Sequence, residues 1–304
     1  MPELPEVETV ARGLQRAIVG RQIVSLTLGK TDFIVDPRRL ESQLPGRRIA
    51  AVERYGKFLL LRLTGVEGAE DGQAEGALRV HLGMTGRLLS QAAHEPQAKH
   101  THVVMELDDG RELRYVDPRR FGRIAYLPPE ALRRELGRFG ADPLEVGLEE
   151  FTRRICERRA RIKALLLDQQ VLRGVGNIYA DESLWKSKIH PTEWGARLSP
   201  KQIQGLFEGL RTILRRAIAF GGSSISDFLD AAGLPGEYQR HHRVYGREGQ
   251  SCRRCKAVIR RTLVAGRSSY YCPVCQRAPR RARKKGKPNS QASGFPRAYK
   301  RSKR

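Results

Sequence analysis

Cys252-Arg253-Arg254-Cys255 is followed, after sixteen intervening residues, by Cys272-Pro273-Val274-Cys275. Two CxxC pairs at this spacing predict a tetrahedral zinc site, in which each pair holds one side of the metal and the residues between them form a hairpin. Four thiolates leave no open coordination position, so we expect one zinc ion with a structural role. The stretch therefore predicts a zinc ribbon.

The alternative for these cysteines is a pair of disulfides in a secreted protein. Two features argue against it. The cysteine count is five, because Cys156 stands alone, and the N-terminal residues 1–6 (MPELPE) lack the basic-then-apolar order of a signal peptide. Cys156 lies in a helical run and is expected to be an ordinary buried thiol. We therefore expect zinc binding and a cytoplasmic location.

The charge of the chain indicates an anionic partner. The 304 residues include 57 Lys and Arg against 33 Asp and Glu, a net charge of +24. Residues 277–304 contribute twelve of these cations and no acid, which predicts a basic disordered tail. The other half of the excess belongs to folded protein. Nucleic acid is the first candidate partner and an anionic membrane surface the second. The sequence contains no run of 18 apolar residues, the length that would predict a membrane span.

Hydrophobic periodicity predicts an α+β fold. Apolar residues recur at three- and four-residue steps from Leu4 to Ile18, which predicts a first helix closed by Gly20. Short strand-like runs separated by turn residues then extend to Leu127 and predict a β-sandwich or barrel. Helical patterns replace them from about Pro128, including 149–159, 162–169, 177–186 and a long helix that starts at Ser199-Pro200.

The sequence thus predicts four segments. They are an N-terminal helix followed by a β-sandwich (2–127), a helical domain (128–235), a zinc-ribbon finger (236–276) and the basic tail (277–304).

The first residues carry possible chemistry. Removal of Met1 would expose Pro2 as a secondary amine, a good nucleophile toward a sugar C1′ carbon that forms a cationic iminium ion. Glu3 and Glu6 are three residues apart at the helix start and could transfer protons beside this amine. Taken alone, these residues favour the structural alternative, because acids are common in first helical turns.

Five stretches in order change this interpretation. Residues 2–8 (PELPEVE) resemble the start of the formamidopyrimidine-DNA glycosylases, bacterial base-excision repair enzymes. The stretches 81–86 (HLGMTG), 117–122 (DPRRFG) and 174–180 (GVGNIYA) resemble the same family, and the zinc ribbon completes the series over about residues 2–276. The sister family, endonuclease VIII, usually starts Pro-Glu-Gly-Pro, so Leu4 favours the formamidopyrimidine branch.

The resemblance implies a bifunctional DNA glycosylase and AP lyase. Such an enzyme excises oxidised purines, 8-oxoguanine and formamidopyrimidines, from duplex DNA through a Pro2 Schiff base and β,δ-elimination. Carried over, Glu3 is the acid/base that assists sugar-ring opening, and Glu6 supports it. Lys57 contacts the nearby phosphate or lesion, and Arg267 grips the phosphates that flank the lesion.

The resemblance also implies that 2–127 is the catalytic domain, that 128–235 is a DNA-binding domain with a helix–two-turns–helix motif, and that individual residues contact DNA. Met84, Arg119 and Phe121 enter the duplex where the lesion leaves it, and His81 and Asn177 contact phosphates. Without the resemblance, Met84 would be expected in the core, the 117–119 segment would be an ordinary turn, and His81 and Asn177 would have structural roles.

Part of the pattern fits the family only loosely. In the segment that corresponds to the family's lesion-recognition loop, residues 237–242 (EYQRHH) depart from it, which leaves the lesion preference open. Two alternatives remain: an endonuclease VIII-type glycosylase for oxidised pyrimidines, or a non-catalytic zinc-ribbon protein that binds nucleic acid. We expect damaged double-stranded DNA as partner, a monomer, no membrane association, and a nucleoid-associated location in a bacterial cytoplasm.

Overall fold

The computed structural model of the chain describes residues 1–65, 76–225 and 227–278. The predicted tail lies outside the described residues from position 279 onward. Helix α1 spans Leu4–Ile18, as the periodicity predicts, and its apolar face is buried. The N-cap Glu3 and the third helical residue, Glu6, form a reciprocal capping box that fixes the start of the helix.

Two four-stranded antiparallel sheets form the N-terminal sandwich. In chain order the strands are β1 (Ile23–Leu28), β2 (Ile49–Tyr55), β3 (Phe58–Leu63), β4 (Ala77–His81), β5 (Arg87–Ala92), β6 (Thr101–Leu107), β7 (Arg111–Val116) and β8 (Arg123–Leu127). One sheet has the order β1-β6-β7-β5 and the other β2-β3-β4-β8. One cluster of buried side chains from both sheets and α1 forms the core, so the predicted sandwich is confirmed.

Three elements were missed by the sequence patterns. Strand β5 was missed because its consecutive Leu88 and Leu89 are both buried and break the alternation that identifies a half-buried strand. The short helices α2 (Pro37–Gln43) and α3 (Pro129–Leu136) each bury one leucine, too little for a visible helical period.

The remaining helices pack around a second core. They are α4 (Leu148–Cys156), α5 (Ile162–Leu167), α6 (Asn177–Lys186) and α7 (Pro200–Ala219). Leu4 of α1 belongs to this core, and its backbone N–H donates to the carbonyl of Gly174 over 2.9 Å. The start of α1 therefore joins the sandwich to the helical region and places Pro2, Glu3 and Glu6 at the junction.

A hairpin at the C-terminal end carries the cysteine pairs. Strands β9 (Arg260–Val264) and β10 (Arg267–Tyr271) pair antiparallel, with Arg267 opposite Val264. Ala265 and Gly266 both have positive φ, as a tight two-residue turn requires. Arg267 is thus fixed at the tip of the hairpin. No helix among the residues described is long and apolar enough to cross a membrane.

Candidate active site and nucleic-acid interface

Glu3 is bound by the N-terminus of α6. Its carboxylate accepts hydrogen bonds from the backbone N–H groups of Ile178 (2.9 Å) and Tyr179 (3.3 Å). Any side chain at Gly176 would collide with this carboxylate. The glycine turn before α6 therefore admits an acidic side chain from the chain's own first residues at the N-terminus of that helix.

Glu6 lies deeper in the same cluster. One oxygen accepts from the backbone N–H of Ser223 (2.7 Å) and from the Tyr179 hydroxyl, and the other accepts from the backbone N–H of Glu3 (2.8 Å). Gly222 has positive φ and lies against Glu6, so the turn after α7 closes over this carboxyl group. Three segments that are distant in sequence thus meet at these two acids: the start of α1, the start of α6 and the turn after α7.

Burial gives the two acids unusual proton affinities. Burial raises the pKa of Glu3, although Lys57 and the N–H groups of α6 act in the opposite direction. Burial, followed by repulsion from Glu3, raises the pKa of Glu6 to about 7. Near neutral pH Glu6 is therefore partly protonated, so the pair can deliver a proton or take one up, as general acid–base chemistry requires.

Lys57 stands at the tip of the hairpin between β2 and β3. Tyr55 pairs with Phe58, which leaves Gly56 and Lys57 as a two-residue turn that packs against the Gly174 backbone. Burial lowers the pKa of Lys57, Glu3 raises it, and Arg267 of the zinc hairpin lowers it. The structure therefore brings Lys57 and Arg267 to the side of the acid pair.

Two loops of the sandwich present exposed apolar side chains next to each other. Met84 is 44% exposed and Phe121 is 51% exposed, and the Arg119 guanidinium lies 4.4 Å from the centre of the Phe121 ring. Gly83 has positive φ and contacts the backbone of Phe121, which leaves no room for a side chain. Met84 is thus not a core residue, and the three side chains form one projecting group.

Asp117 holds this group in place, a role that its position in the 117–122 motif did not predict. Its buried carboxylate accepts from the Thr85 hydroxyl (2.6 Å) and from the backbone N–H groups of Arg119 (3.2 Å) and Gly122 (2.9 Å). One side chain therefore ties both loops together. No pattern in the sequence distinguishes this role from that of an ordinary turn aspartate.

His81 and Asn177 are placed close to the acid cluster but differ in character. Burial, and then the charge of Lys57, lower the pKa of His81 to about 4, and its Nδ1 accepts from the N–H of Gly83 (3.2 Å). A phosphate contact by His81 would thus be made by a neutral imidazole. The Asn177 Oδ1 atom is buried, and no residue that the structure describes donates a hydrogen bond to it.

The four cysteines form the zinc site. Their Sγ atoms all lie within 4.8 Å of one another, as tetrahedral coordination of one ion requires. Backbone N–H groups of Arg254 and Cys275 donate to the sulfur atoms, which stabilises thiolate charge. The donor set therefore fits a structural zinc ion.

A buried ion pair attaches this hairpin to α6. Lys163 and Asp181 are fully buried and lie 2.7 Å apart. Asp181 accepts from the N–H of Tyr270, and Lys163 donates to the carbonyl of Ser268, two residues of β10. Sequence reasoning missed this pair, which fixes the strand that starts at Arg267.

The comparisons with known proteins agree along the whole described chain. Residues 1–124 match the formamidopyrimidine-DNA glycosylase N-terminal domain, 139–229 its H2TH domain, and 249–278 the zinc finger found in FPG and IleRS. The formamidopyrimidine-DNA glycosylase of Herpetosiphon aurantiacus is 45% identical over 281 residues, covering 91% of this chain and 100% of the relative.

Solved structures give the same result. A complex of Lactococcus lactis Fpg with Fapy-dG-containing DNA is similar at a TM-score of 0.81 and 33% identity, covering 91% of this chain and 100% of that one. MutM in complex with carbocyclic 8-oxo-G-containing DNA is similar at a TM-score of 0.81 and 34% identity, with the same coverage. The chain therefore belongs to the formamidopyrimidine-DNA glycosylase family.

Proposed function

We propose that this protein is a bifunctional DNA glycosylase and AP lyase that removes 8-oxoguanine and formamidopyrimidines from duplex DNA. One observation carries the proposal: the buried Glu3–Glu6 pair lies directly beside Pro2, in a chain of this family. The names of its relatives and the DNA in the related complexes supply the substrate class.

The reaction starts at the Pro2 nitrogen. While Met1 is attached, this nitrogen is a tertiary amide and cannot attack, so removal of Met1 is the first requirement. The free secondary amine then bonds to C1′ of the damaged nucleotide as the bond from C1′ to the base breaks, and the amine proton passes through the acid pair to the departing base. The bond from C1′ to the ring oxygen breaks next, which opens the sugar and leaves the iminium ion. β- and δ-elimination from this intermediate release the phosphates on the two sides of the sugar.

The acid pair manages the protons of these steps. Glu3 is held by α6 next to Pro2 and delivers a proton to the sugar-ring oxygen as the ring opens. Glu6 accepts a hydrogen bond from the Glu3 backbone N–H, which fixes it beside Glu3, and its raised pKa of about 7 leaves it partly protonated near neutral pH. Lys57 and Arg267 supply the positive charge that holds the lesion-flanking phosphates against this site.

The projecting group supports base flipping. Extrusion of a nucleotide costs roughly a few kcal/mol, and side chains that fill the gap offset this cost. Met84 and Phe121 are exposed and apolar, and Arg119 can hydrogen-bond the orphaned base, so they fit this role. Asn177 and a neutral His81 would add phosphate contacts.

The division of labour among the segments is part of the proposal. We assign the chemistry to 2–127, duplex binding to 128–235 and 236–276, and additional DNA affinity to the tail, 277–304. We also propose that the protein acts as a monomer in the bacterial cytoplasm, because every residue assigned to the site comes from one chain.

Borohydride trapping tests the function. With Met1 removed, as checked by intact mass, the wild-type protein is expected to form a covalent adduct on an 8-oxoguanine:C duplex, and Pro2→Gly is expected to weaken it. Failure of the processed wild type to form an adduct would contradict the proposal. Faster turnover on thymine glycol than on 8-oxoguanine would instead assign the protein to oxidised pyrimidines.

A further inference from the structure

A chain of hydrogen bonds leads from Glu6 away from Pro2. The Tyr179 hydroxyl donates to Glu6, and its oxygen lies 3.3 Å from Oγ of Ser223. The same Oγ lies 3.0 Å from Nε2 of His242. The four side chains are at most 6% exposed, so these polar atoms contact one another where bulk water is excluded. The result is a continuous path of exchangeable protons from the acid pair to the imidazole.

The far end of this path reaches open space. His242 lines a cavity of about 450 Å³ together with Tyr245 and three arginines at positions 240, 247 and 253. A polar cavity of this size holds several water molecules. The cavity at Pro2, by contrast, measures about 40 Å³, little more than the volume of one water. When DNA covers Pro2, the direct route between the acids and solvent is therefore closed.

A role for His242 is absent from the reaction scheme above. It lies in the 237–242 stretch that fits the family pattern only loosely. Burial, and then the neighbouring His241, lower the pKa of His242 to about 4. At neutral pH the ring is thus uncharged, with one nitrogen that donates and one that accepts, which is what a group that passes protons needs.

The groups around His242 keep it neutral. Tyr238 and His241 face it from its own 3₁₀ turn, Tyr238–His241, and Tyr245 faces it from the following segment. From α7, Arg216 contacts His241, and the three cavity arginines add positive charge. Burial and the neighbouring His241 oppose a lasting imidazolium, so the ring would transmit a proton and not store one.

We propose that Glu6, Tyr179, Ser223 and His242 form a proton relay that exchanges the proton of the active-site acids with solvent in the cavity beside His242. The proposal rests on the proposed function. In one direction, water gives a proton to Nδ1 of His242 and the Nε2 proton passes to Ser223. The Ser223 hydroxyl proton passes to Tyr179, and the Tyr179 proton passes to the Glu6 carboxylate. Solvent loses one proton, Glu6 gains one, and the reverse sequence releases it.

Substitutions at position 242 separate a relay from a structural hydrogen bond. His242→Gln keeps an N–H donor for Ser223 but cannot accept and pass a proton, and His242→Ala leaves space for added imidazole. His241→Gln is the matched control, because this half-buried neighbour is not on the path. The assay is single-turnover cleavage of the 8-oxoguanine:C duplex from pH 5.5 to 8.5, in H₂O and in D₂O.

We expect both His242 variants to cleave roughly tenfold more slowly than wild type, with altered pH profiles and solvent isotope effects. Imidazole should restore His242→Ala in part, and His241→Gln should match wild type. A His242→Gln variant with the wild-type rate and pH profile would overturn the relay. If a urea titration shows that His242→Ala is unfolded, the His242→Gln result alone tests the proposal. A wild-type protein that forms no borohydride adduct would overturn the proposed function itself.

Discussion

The zinc hairpin and the acid cluster are built in opposite ways. All four sulfur ligands come from one short stretch, Cys252–Cys275, and two tight knuckles bring them within 4.8 Å of one another. Glu6, in contrast, reaches the hydroxyl of Tyr179 across 173 residues of sequence and the backbone of Ser223 across 217. The first site is specified locally, whereas the second exists only when the sandwich and the helical region are packed together.

The two sites also handle charge differently. A zinc ion neutralises part of the negative charge of the thiolates, and N–H groups of the knuckles satisfy the sulfurs. The acid cluster places the carboxyl groups of Glu3 and Glu6 in a buried space with Lys57 as a neighbouring cation, and the raised pKa of Glu6 leaves it partly protonated near neutral pH. The neutralised thiolates therefore stabilise the hairpin, whereas the incompletely neutralised carboxyl groups have shifted pKa values that suit proton transfer.

Glu3→Gln should cause the largest loss of cleavage rate. It tests whether the acid cluster serves proton transfer alone or also DNA binding. The amide oxygen can still accept from the N–H groups of α6, so the fold should persist, but the side chain can no longer transfer a proton. We expect a loss of roughly 10²- to 10⁴-fold in single-turnover cleavage with near-normal affinity for damaged duplex. Parallel losses of affinity and rate would mean that Glu3 positions the DNA instead.

Cys272→Ser tests whether the zinc site acts through Arg267. Loss of a ligand should release zinc and disorder the hairpin that positions this arginine, which removes a charge-assisted contact of about 1.5–3 kcal/mol. We expect DNA affinity to fall roughly ten- to a hundred-fold, as measured by equilibrium binding. Cys156→Ser is the matched control, because Cys156 lies outside the sulfur cluster, and it should retain both zinc and affinity.

The pH dependence of the free energy of unfolding tests whether Glu6 binds a proton in the folded state. The folded pKa of Glu6, about 7, is above the value of about 4.3 for an unfolded glutamate, so the native state binds this proton more tightly. The resulting stabilisation is present at low pH and is lost as the pH rises toward 7, by on the order of 3 kcal/mol. Urea unfolding at pH 5 and pH 8 should show a much smaller difference for Glu6→Gln than for wild type. Equal differences would place the proton on another group.

Deletion of residues 277–304 should have the smallest effect on both the acid cluster and the zinc hairpin. The tail carries twelve cations, so its loss should flatten the dependence of DNA affinity on salt concentration. Neither the acid cluster nor the sulfur ligands lie in it, and single-turnover cleavage should be unchanged. Loss of cleavage would show that the functional part of the chain extends past the zinc hairpin.

The local features of this protein were readable from the sequence. The spacing of the cysteines predicted the zinc ribbon because each pair needs only a tight turn to face the metal. The helical period from Leu4 to Ile18 predicted α1, and the five motifs in order identified the family. Such signals survive in the sequence because they depend on residues a few positions apart.

Other properties were decided by the tertiary structure. The exposure of Met84 depends on how two loops meet at Asp117, and the neutral state of His81 depends on burial near Lys57. The elevated pKa of Glu6 and its connection to His242 depend on segments that only packing brings together. The sequence alone thus determined which groups are present and where the metal binds. Burial, which is a property of the assembled fold, determined which of these groups hold a proton.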